Sequence, residues 1–254
     1  MTSDEGIGRE YMRQTRYQAL VTSGQQPDQQ RGVPQPPLTQ AWPAEALRVE
    51  LPPPTEAVLS TPDLREVIGR RTSLRRYDPT PLTLAELSFL LWATQGVRSQ
   101  RPTHLLRTVP SAGARHPFET VLLANRVTGL EPGLYGYESA EHRLVRLRQD
   151  PDLGPRLTTG CLGQEMVAQS AVTFLWVAVP YRTTWRYSER GYRYLHLDAG
   201  HVCQNLYLAA EAIGAGTCAV AAFDDDALIE FLELDPREAF VIYLAPVGRR
   251  PDIS

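Results

Sequence analysis

Runs of apolar residues bounded by turn-forming residues predict the strands of one sheet. The runs at 133–137 and 143–148 flank the sequence SAEH, so together they predict a hairpin. Three further runs predict buried strands, at 116–125 (HPFETVLLAN), 171–179 (AVTFLWVAV) and 239–248 (AFVIYLAPVG). The last two lack alternating polar positions, which indicates burial on both faces.

Apolar residues at three- and four-residue spacing predict two helices before these strands. In TPDLREVIGRR, Thr61 is the predicted N-cap and Pro62 the first helical residue. In the second helix, Thr83 and Glu86 have the spacing of a capping box, and Gly96 ends the apolar pattern. The predicted apolar faces consist of Leu64, Val67 and Ile68 in the first helix, and Leu84, Leu87, Leu90 and Leu91 in the second.

Three more helical patterns lie in the second half of the chain. Residues 151–169 predict helix interrupted by glycine, and 224–234 predict a short helix with acidic residues in its first turn. Residues 198–214 (DAGHVCQNLYLAAEAIG) are apolar or small on nearly every face, which predicts a central helix at a subunit interface. Helices and strands do not alternate regularly, so the predicted fold class is α+β, with helices flanking one mostly antiparallel sheet.

The first 60 residues have a different composition from the rest. Residues 22–40 are rich in Gln, Pro and Gly, and the Pro-rich character continues to LPPPTE at 51–56. This predicts an extended arm over 1–60, with one short helix near 9–20, joined to a globular domain over 61–254. The alternative interpretation is a disordered tail.

Composition excludes several kinds of chemistry. The 254 residues are 43% hydrophobic and 22% charged with a net charge of −3, which favours a globular protein and argues against nucleic acid as a partner. All 26 basic residues are arginine, so lysine Schiff bases and the P-loop lysine are excluded, and arginine is the expected ligand of any phosphate. Three scattered cysteines and five scattered histidines form no metal-binding pattern. The N-terminus lacks the apolar core of a signal peptide, and the longest apolar run is too short to span a bilayer, so we expect a cytoplasmic protein without a membrane partner.

Four polar or glycine-rich segments could form a binding site. Residues 70–77 (RRTSLRRY) combine four arginines with two hydroxyls, which suits a phosphate; the alternative is a solvated basic turn. Residues 110–114 (PSAGA) and 214–224 (GAGTCAVAAFD) allow close approach of a flat ligand to the backbone, although the former taken alone is more typical of an ordinary tight turn. Gly248, Arg249 and Arg250 follow the last strand as a second possible phosphate clamp.

Taken in order, these segments resemble the nitroreductase superfamily, and within it the SagB-type dehydrogenase branch that is related to azoline oxidases. The similarity covers nearly the whole chain. The most specific motifs are PSAGA and DAGHVCQNLYLAA, and the arm with TRY at 15–17 and LPPP at 51–54 is similar to the N-terminal extension of that branch.

The resemblance implies a homodimer with one FMN per subunit at the interface. The positions matching the family's contacts with the FMN phosphate, ribityl chain and pyrimidine are Arg71, Ser73 and Arg75, with Thr72 beside them. Pro110, Ser111, Ala112 and Gly113 match the segment that meets the flavin from the partner subunit. Ala221 and Ala222 match the loop near flavin N5, and Arg249, with Arg250 as substitute, matches the C-terminal phosphate contact.

Two positions depart from the family pattern. Relatives often have Glu-Gly or Gly-Gly where this chain has Ala221 and Ala222, which keeps the backbone donor and removes the acidic side chain. Azoline oxidases carry a Lys-Tyr pair where Arg186 and Tyr187 stand, and arginine stays protonated and cannot act as a base. Tyr187 is the candidate for proton transfer, with Arg186 beside it; the alternative is a packed aromatic ring.

Three functional hypotheses follow. The first is an FMN-dependent dehydrogenase or oxidase acting on a peptide-derived or small-molecule substrate. The second is an NAD(P)H-dependent reductase of nitro compounds or quinones, and the third is a non-catalytic scaffold subunit of a peptide-modifying complex.

Overall fold

The structure, a computed structural model, describes residues 6–251 and is built around a seven-stranded sheet. Residues 1–5 and 252–254 lie outside the described residues, and with them the very start of the predicted arm and the end of the predicted domain. The strands are β1 (Arg48–Glu50), β2 (Leu82–Thr83), β3 (Val97–Arg101), β4 (His104–Arg107), β5 (Phe118–Ala124), β6 (Val127–Thr128), β7 (Gly133–Glu138), β8 (Arg143–Arg148), β9 (Val172–Ala178), β10 (Ala215–Thr217) and β11 (Phe240–Arg249). The large sheet has the order β1-β8-β7-β5-β9-β11-β10, and every neighbouring pair in it is antiparallel.

The helices pack on both faces of this sheet. They are α1 (Ile7–Gln14), α2 (Tyr17–Ser23), α3 (Leu64–Arg70), α4 (Leu84–Gln95), α5 (Leu153–Gly160), α6 (Met166–Gln169), α7 (Tyr181–Tyr187), α8 (Gly191–Ala212) and α9 (Asp225–Leu232). One apolar core lies between the sheet and α4 and α8, and a second lies between the opposite face and α5, α6 and α9. The predicted α+β class with a central antiparallel sheet is confirmed.

The central strands are buried on both faces, as their sequences predict. All seven residues of β5 are buried. Because side chains alternate along a strand, Phe118 and Leu122 enter the core beside α8, whereas Val121 and Leu123 enter the core beside α5. The hairpin β7–β8 and strands β5, β9 and β11 confirm the predicted strands within one or two residues at each end.

Helix α4 has the predicted ends, whereas α3 does not. Thr83 caps α4 through a complete capping box with Glu86, and Gly96 follows its last residue. The predicted N-cap Thr61 of α3 is wrong, because Asp63 accepts the Glu66 N–H and the helix begins at Leu64. An aspartate is at least as good a cap as threonine, so the nearer of two suitable residues starts the helix.

The apolar face predicted for α3 is only partly buried. Val67 lies in the core, but Leu64 and Ile68 are 63% and 57% exposed. These two side chains are therefore available to another surface.

Five elements differ from the sequence prediction or were absent from it. Helix α8 begins at Gly191, seven residues before the predicted start. The preceding residues 191–197 (GYRYLHL) belong to the same helix. The segment after β9 forms helix α7, which the sequence pattern did not predict. The stretch at 214–224 contains the edge strand β10, and the hairpin β3–β4 was not predicted because its residues are mostly polar.

The N-terminal residues 6–47 contact α7, α8 and the sheet rather than a single element. Two helices, α1 and α2, replace the one short helix predicted near 9–20, because the chain turns at Thr15. The indole N–H of Trp185 donates to Val33 O at 2.9 Å, and Trp185 O accepts the Gln29 N–H at 2.9 Å. Farther along, the Trp42 ring packs so closely on Gly136 of β7 that a Cβ there would lie 2.6 Å from it.

None of the helices between residues 6 and 251 has the length and apolarity required to cross a membrane.

Candidate active site

The arginine-rich motif at 70–77 is held against the edge of the sheet by backbone pairing. Ser73 bridges to Thr217 of β10, and the Leu74 N–H donates to Thr217 O at 2.9 Å. The guanidinium of Arg71 lies over the ring of Tyr207, 5.3 Å from its centroid, and Ser73 Oγ is 3.1 Å from Tyr207 Oη. Tyr207 of α8, which the sequence did not single out, thus organises this motif.

Within residues 6–251, three arginines of the motif have no carboxylate partner, namely Arg71, Arg75 and Arg76. Arg70 pairs with Glu66 at 3.1 Å and with Glu211 at 3.3 Å. Within residues 6–251, neither Arg71 nor Arg75 forms an ion pair, and the Arg75 side chain reaches only Ser73 O, at 3.4 Å. Their charges are available to an anionic ligand.

The two C-terminal arginines reach the same region but are already paired. Arg249 contacts Glu86 Oε2 at 2.6 Å, which is also the oxygen that caps α4. Arg250 pairs with the buried Glu211, and its guanidinium lies 3.4 Å from Thr72 Oγ1. Of the two, Arg250 is the one that the structure brings next to the 70–77 motif.

The loop after β10 presents backbone donors near Tyr207. The Ala219 N–H donates to Tyr207 Oη at 2.9 Å, and Val220 pairs with Leu244 of β11. Ala221 and Ala222 are exposed, and their N–H groups have no acceptor in the described part of the chain. The first cluster consists of Arg71, Ser73, Arg75, Tyr207, Ala219, Ala221 and Ala222.

A second cluster forms around the PSAG segment. Ser111 Oγ donates to Asp198 of α8 at 2.6 Å, and the Ala112 N–H points to the same carboxylate at 3.2 Å. Asp198 is buried, which raises its pKa, although the two hydrogen bonds act in the opposite direction. Asp198 was missed as a site residue, although a carboxylate in a segment of mainly small and apolar residues (198–214) is the signal that could have revealed it.

Arg186 and Tyr187 lie directly over Gly113. A Cβ on Gly113 would be 2.5 Å from Tyr187 Oη and 3.1 Å from Arg186 Nε, and its φ of +59° is a conformation that favours glycine. No other residue type fits this position without moving Tyr187. Pro110, at the start of the segment, is exposed beside the cluster.

The Tyr187 side chain is positioned by its ring and not by its hydroxyl. Its ring meets Tyr194 edge-on, with centroids 4.9 Å apart, and the Arg186 guanidinium lies 5.6 Å from its centroid. Between residues 6 and 251, the Tyr187 hydroxyl has no hydrogen-bond partner. It is therefore free to exchange a hydrogen bond or a proton with a ligand.

The two clusters lie on opposite faces of α8. Asp198 and Tyr207 are nine residues apart, which corresponds to about two and a half turns and roughly 13 Å along the helix. One small ligand in contact with Tyr207 cannot also reach the PSAG segment of the same chain around this helix.

The fold and its two clusters define an α+β protein with a site at each face of a central helix. Residues 68–249 match the nitroreductase family. MJ1384 of Methanocaldococcus jannaschii, provisionally named a nitroreductase, is 40% identical over 187 residues, which cover 74% of this chain and 91% of that protein. The chain belongs to the nitroreductase family and is an oxidoreductase of that family.

Two further proteins are similar to this chain. The trifolitoxin-processing protein TfxB of Rhizobium leguminosarum bv. trifolii is 30% identical over 149 residues, which cover 55% of this chain and 40% of TfxB. One chain of the E. coli microcin synthetase McbBCD complex, solved with truncated pro-MccB17 bound, has a TM-score of 0.59 at 19% identity. That similarity covers 99% of this chain, including the N-terminal arm, and all of the other.

Proposed function

We propose that this protein is an FMN-dependent oxidoreductase of the SagB-type branch. The observation that carries the proposal is the first cluster, where, among residues 6–251, Arg71 and Arg75 have no carboxylate partner and the loop at 221–222 presents N–H groups without an acceptor. A flavin mononucleotide needs this combination, because its phosphate is a dianion and its ring system carries hydrogen-bond acceptors.

The residues present fit this cofactor. Arg71, Thr72, Ser73 and Arg75 would hold the phosphate, the ribityl chain and the pyrimidine side. Arg250 would add a phosphate contact through its place beside Thr72, whereas Arg249 would contribute only if it left Glu86. The free N–H groups of Ala221 and Ala222 would lie against the ring near N5.

FMN would supply hydride transfer at this site, and the chain's own residues would orient and protonate the reactants. Tyr207 accepts the Ala219 N–H and can donate its proton to Ser73 Oγ, which leaves the Ser73 proton for the ligand. The Tyr187 hydroxyl, free of protein partners, would give or take a proton at the reacting atom. Arg186 stays charged and would not act as a base.

We propose that each site is completed by a second copy of the chain in a homodimer. The first cluster of one protomer and the segment of Pro110, Ser111, Ala112 and Gly113 of its partner would enclose one flavin. Support comes from the placement of the clusters on opposite faces of α8 and from apolar side chains on α3, α4 and α8 that face outwards. These include Leu64, Ile68, Trp92 and Leu197, the last 60% exposed.

For the substrate, we propose a peptide-derived or small molecule oxidised at the flavin. The similarity to TfxB and to a chain of the microcin synthetase complex supports a peptide-derived substrate and partner proteins. In this proposal, residues 1–60 are an arm shared with that branch and 61–254 the catalytic domain. A nitro or quinone reductase remains the second candidate, favoured by the similarity to MJ1384.

Turnover measurements separate these candidates. The proposed function predicts oxygen uptake with an azoline-containing peptide and slow consumption of NADH or NADPH with a quinone. Fast NAD(P)H consumption with a quinone would identify the reductase instead, and a purified protein without flavin colour would indicate the scaffold.

A further inference from the structure

Beneath the Gly113 loop, one carboxylate serves two buried guanidinium groups. Arg182 pairs with Glu119 at 2.5 Å, and both side chains are 4% exposed. Arg107 donates to Gln95 Oε1 at 2.7 Å, while its Nε and Nη2 atoms are buried without a partner in the described chain. The charge of Glu119 also acts on Arg107, but within residues 6–251 no carboxylate forms an ion pair with Arg107 or with a third buried arginine nearby.

Arg115 is such a third arginine and is only 3% exposed. Its Nη1 donates to Gln35 Oε1 at 3.2 Å, and its guanidinium lies 5.1 Å from the centroid of the Trp185 ring. Its Nε and Nη2 atoms are buried without a partner in the part of the chain that the structure describes. Burial lowers the pKa of Arg115, and the nearby charges of Arg186 and Arg182 lower it further.

Arg186 brings a fourth positive charge to the surface of this cluster. It is half-buried, lies beside the exposed Gly113 and forms no ion pair within residues 6–251. Glu189, three residues further on, is exposed and does not pair with it. Unneutralised cations in a site of low dielectric produce a strong positive potential, which an anion reduces.

The geometry points to an anion-binding site formed by Arg186, with Arg115 behind it, next to the hydroxyl of Tyr187. The reactant that meets Tyr187 therefore carries a carboxylate or a phosphate group. This inference rests on the proposed function, since it places the anion beside the reacting atom. The planar, permanently charged fork of arginine suits such a group, and it gives Arg186 a role for which a base is not needed.

Calorimetric titration of the holoenzyme with three small probes tests this site. Benzoate and phenyl phosphate carry the two anions, and benzamide is the neutral analogue of benzoate. At least one anion is expected to bind about tenfold or more tightly than benzamide, as a charge-assisted contact provides. Preference for benzoate identifies a carboxylate as the natural group, and preference for phenyl phosphate identifies a phosphate.

Substitutions of single arginines show which side chains produce the preference for an anion over benzamide. Arg186→Gln should abolish the preference, and Arg115→Gln should weaken it. Arg237→Gln removes the same charge from an 86% exposed side chain and should leave the preference intact. If Arg115→Gln does not fold, Arg186→Gln decides alone.

Equal affinity for all three probes in the unaltered protein, or a preference that survives Arg186→Gln, would overturn the inference. Failure of the proposed function is separately visible, because a protein that binds no FMN can still be titrated with the same probes. In that case the anion preference and its dependence on Arg186 would stand without the flavin.

Discussion

Tyr187 is the residue whose chemistry the structure isolates most clearly. Its ring is held by Tyr194 and Arg186, whereas its hydroxyl has no partner in residues 6–251. Tyr187→Phe should therefore retain FMN and thermal stability, because only an unbonded oxygen is removed. Substrate-driven flavin reduction should slow by at least about tenfold, a low threshold for general acid–base catalysis.

Stopped-flow reduction measures this rate. Tyr181→Phe is the matched control, since its hydroxyl, on the same helix, bonds only to Asp28 on the surface. Reduction of the Tyr187→Phe protein at the unaltered rate would show that Tyr187 is a packing residue.

His116 should make the stability of the fold depend on pH. Burial, and to a lesser extent the Arg107 charge, lower the pKa of His116 from its ordinary value of 6.5 to about 3. The unfolded chain therefore takes up the proton first as the pH falls. The free energy of unfolding should fall by about 1.4 kcal/mol per pH unit between these two values on this account alone.

Urea unfolding of the unaltered protein and His116→Gln across this range measures the effect. The variant should lose stability less steeply towards acid. Asp198, whose pKa is raised and whose effect has the opposite sign, is common to both proteins and cancels in the difference. Parallel pH profiles would contradict the assignment of a buried neutral His116.

At the scale of elements, the contact between the arm and α7 fixes the position of Arg186 and Tyr187. Trp185→Phe keeps an aromatic side chain but replaces the indole with a smaller phenyl ring and removes the N–H that donates to Val33 O, which should cost at least about 1 kcal/mol locally. Amide hydrogen exchange should become faster in residues 25–37 and in α7 and stay unchanged in β5 and β9. The matched control is Trp92→Phe, which removes a partly exposed indole N–H elsewhere. Exchange that becomes faster throughout the sheet, or that stays unchanged in residues 25–37, would contradict this coupling between the arm and α7.

Elements with a strong local signal were predictable from the sequence. Thr83, Glu86 and Gly96 define α4 through short-range chemistry, and β5 and β9 are mostly apolar in sequence and buried at every residue. Helix α7 was missed because Arg182 and Trp185 are buried by the arm and by Glu119, which are distant in sequence. Strand β10 was missed because three small residues form a strand only when β11 pairs with them.

The candidate site likewise contains segments with a local sequence signal and residues whose role depends on distant contacts. The segments at 70–77, 110–114 and 214–224 were proposed from their composition, and the resemblance alone narrowed the last of them to Ala221 and Ala222. Tyr207, Asp198 and Arg115 were not, because their importance depends on which segment the fold brings beside them. The sequence suggested that Arg249 binds phosphate, but in the fold it pairs with Glu86. This carboxylate lies on α4, more than 150 residues earlier in the chain.

At the scale of the whole molecule, a shared site predicts complementation between two inactive variants. Arg71→Glu destroys the first cluster, and Gly113→Val destroys the second because a branched side chain fits neither the φ nor the space under Tyr187. When the two are co-expressed equally, about a quarter of the activity should return, since half the dimers are mixed and each has one intact site. Specific activity of the affinity-purified mixture measures this. Absence of recovery in proven mixed dimers would show that each chain forms its own site.

Calorimetric titration of the apoprotein with FMN and with riboflavin decides whether Arg71 and its neighbours bind a flavin phosphate. We expect one FMN per chain and much weaker binding of riboflavin, which lacks the phosphate. Arg71→Ala should weaken FMN binding by roughly 1.5–3 kcal/mol and leave riboflavin unaffected, because a charge-assisted contact is lost. Arg76→Ala, an exposed arginine of the same motif, should bind FMN as the unaltered protein does. Failure to bind FMN, or equal affinity for FMN and riboflavin, would contradict the assignment of this site.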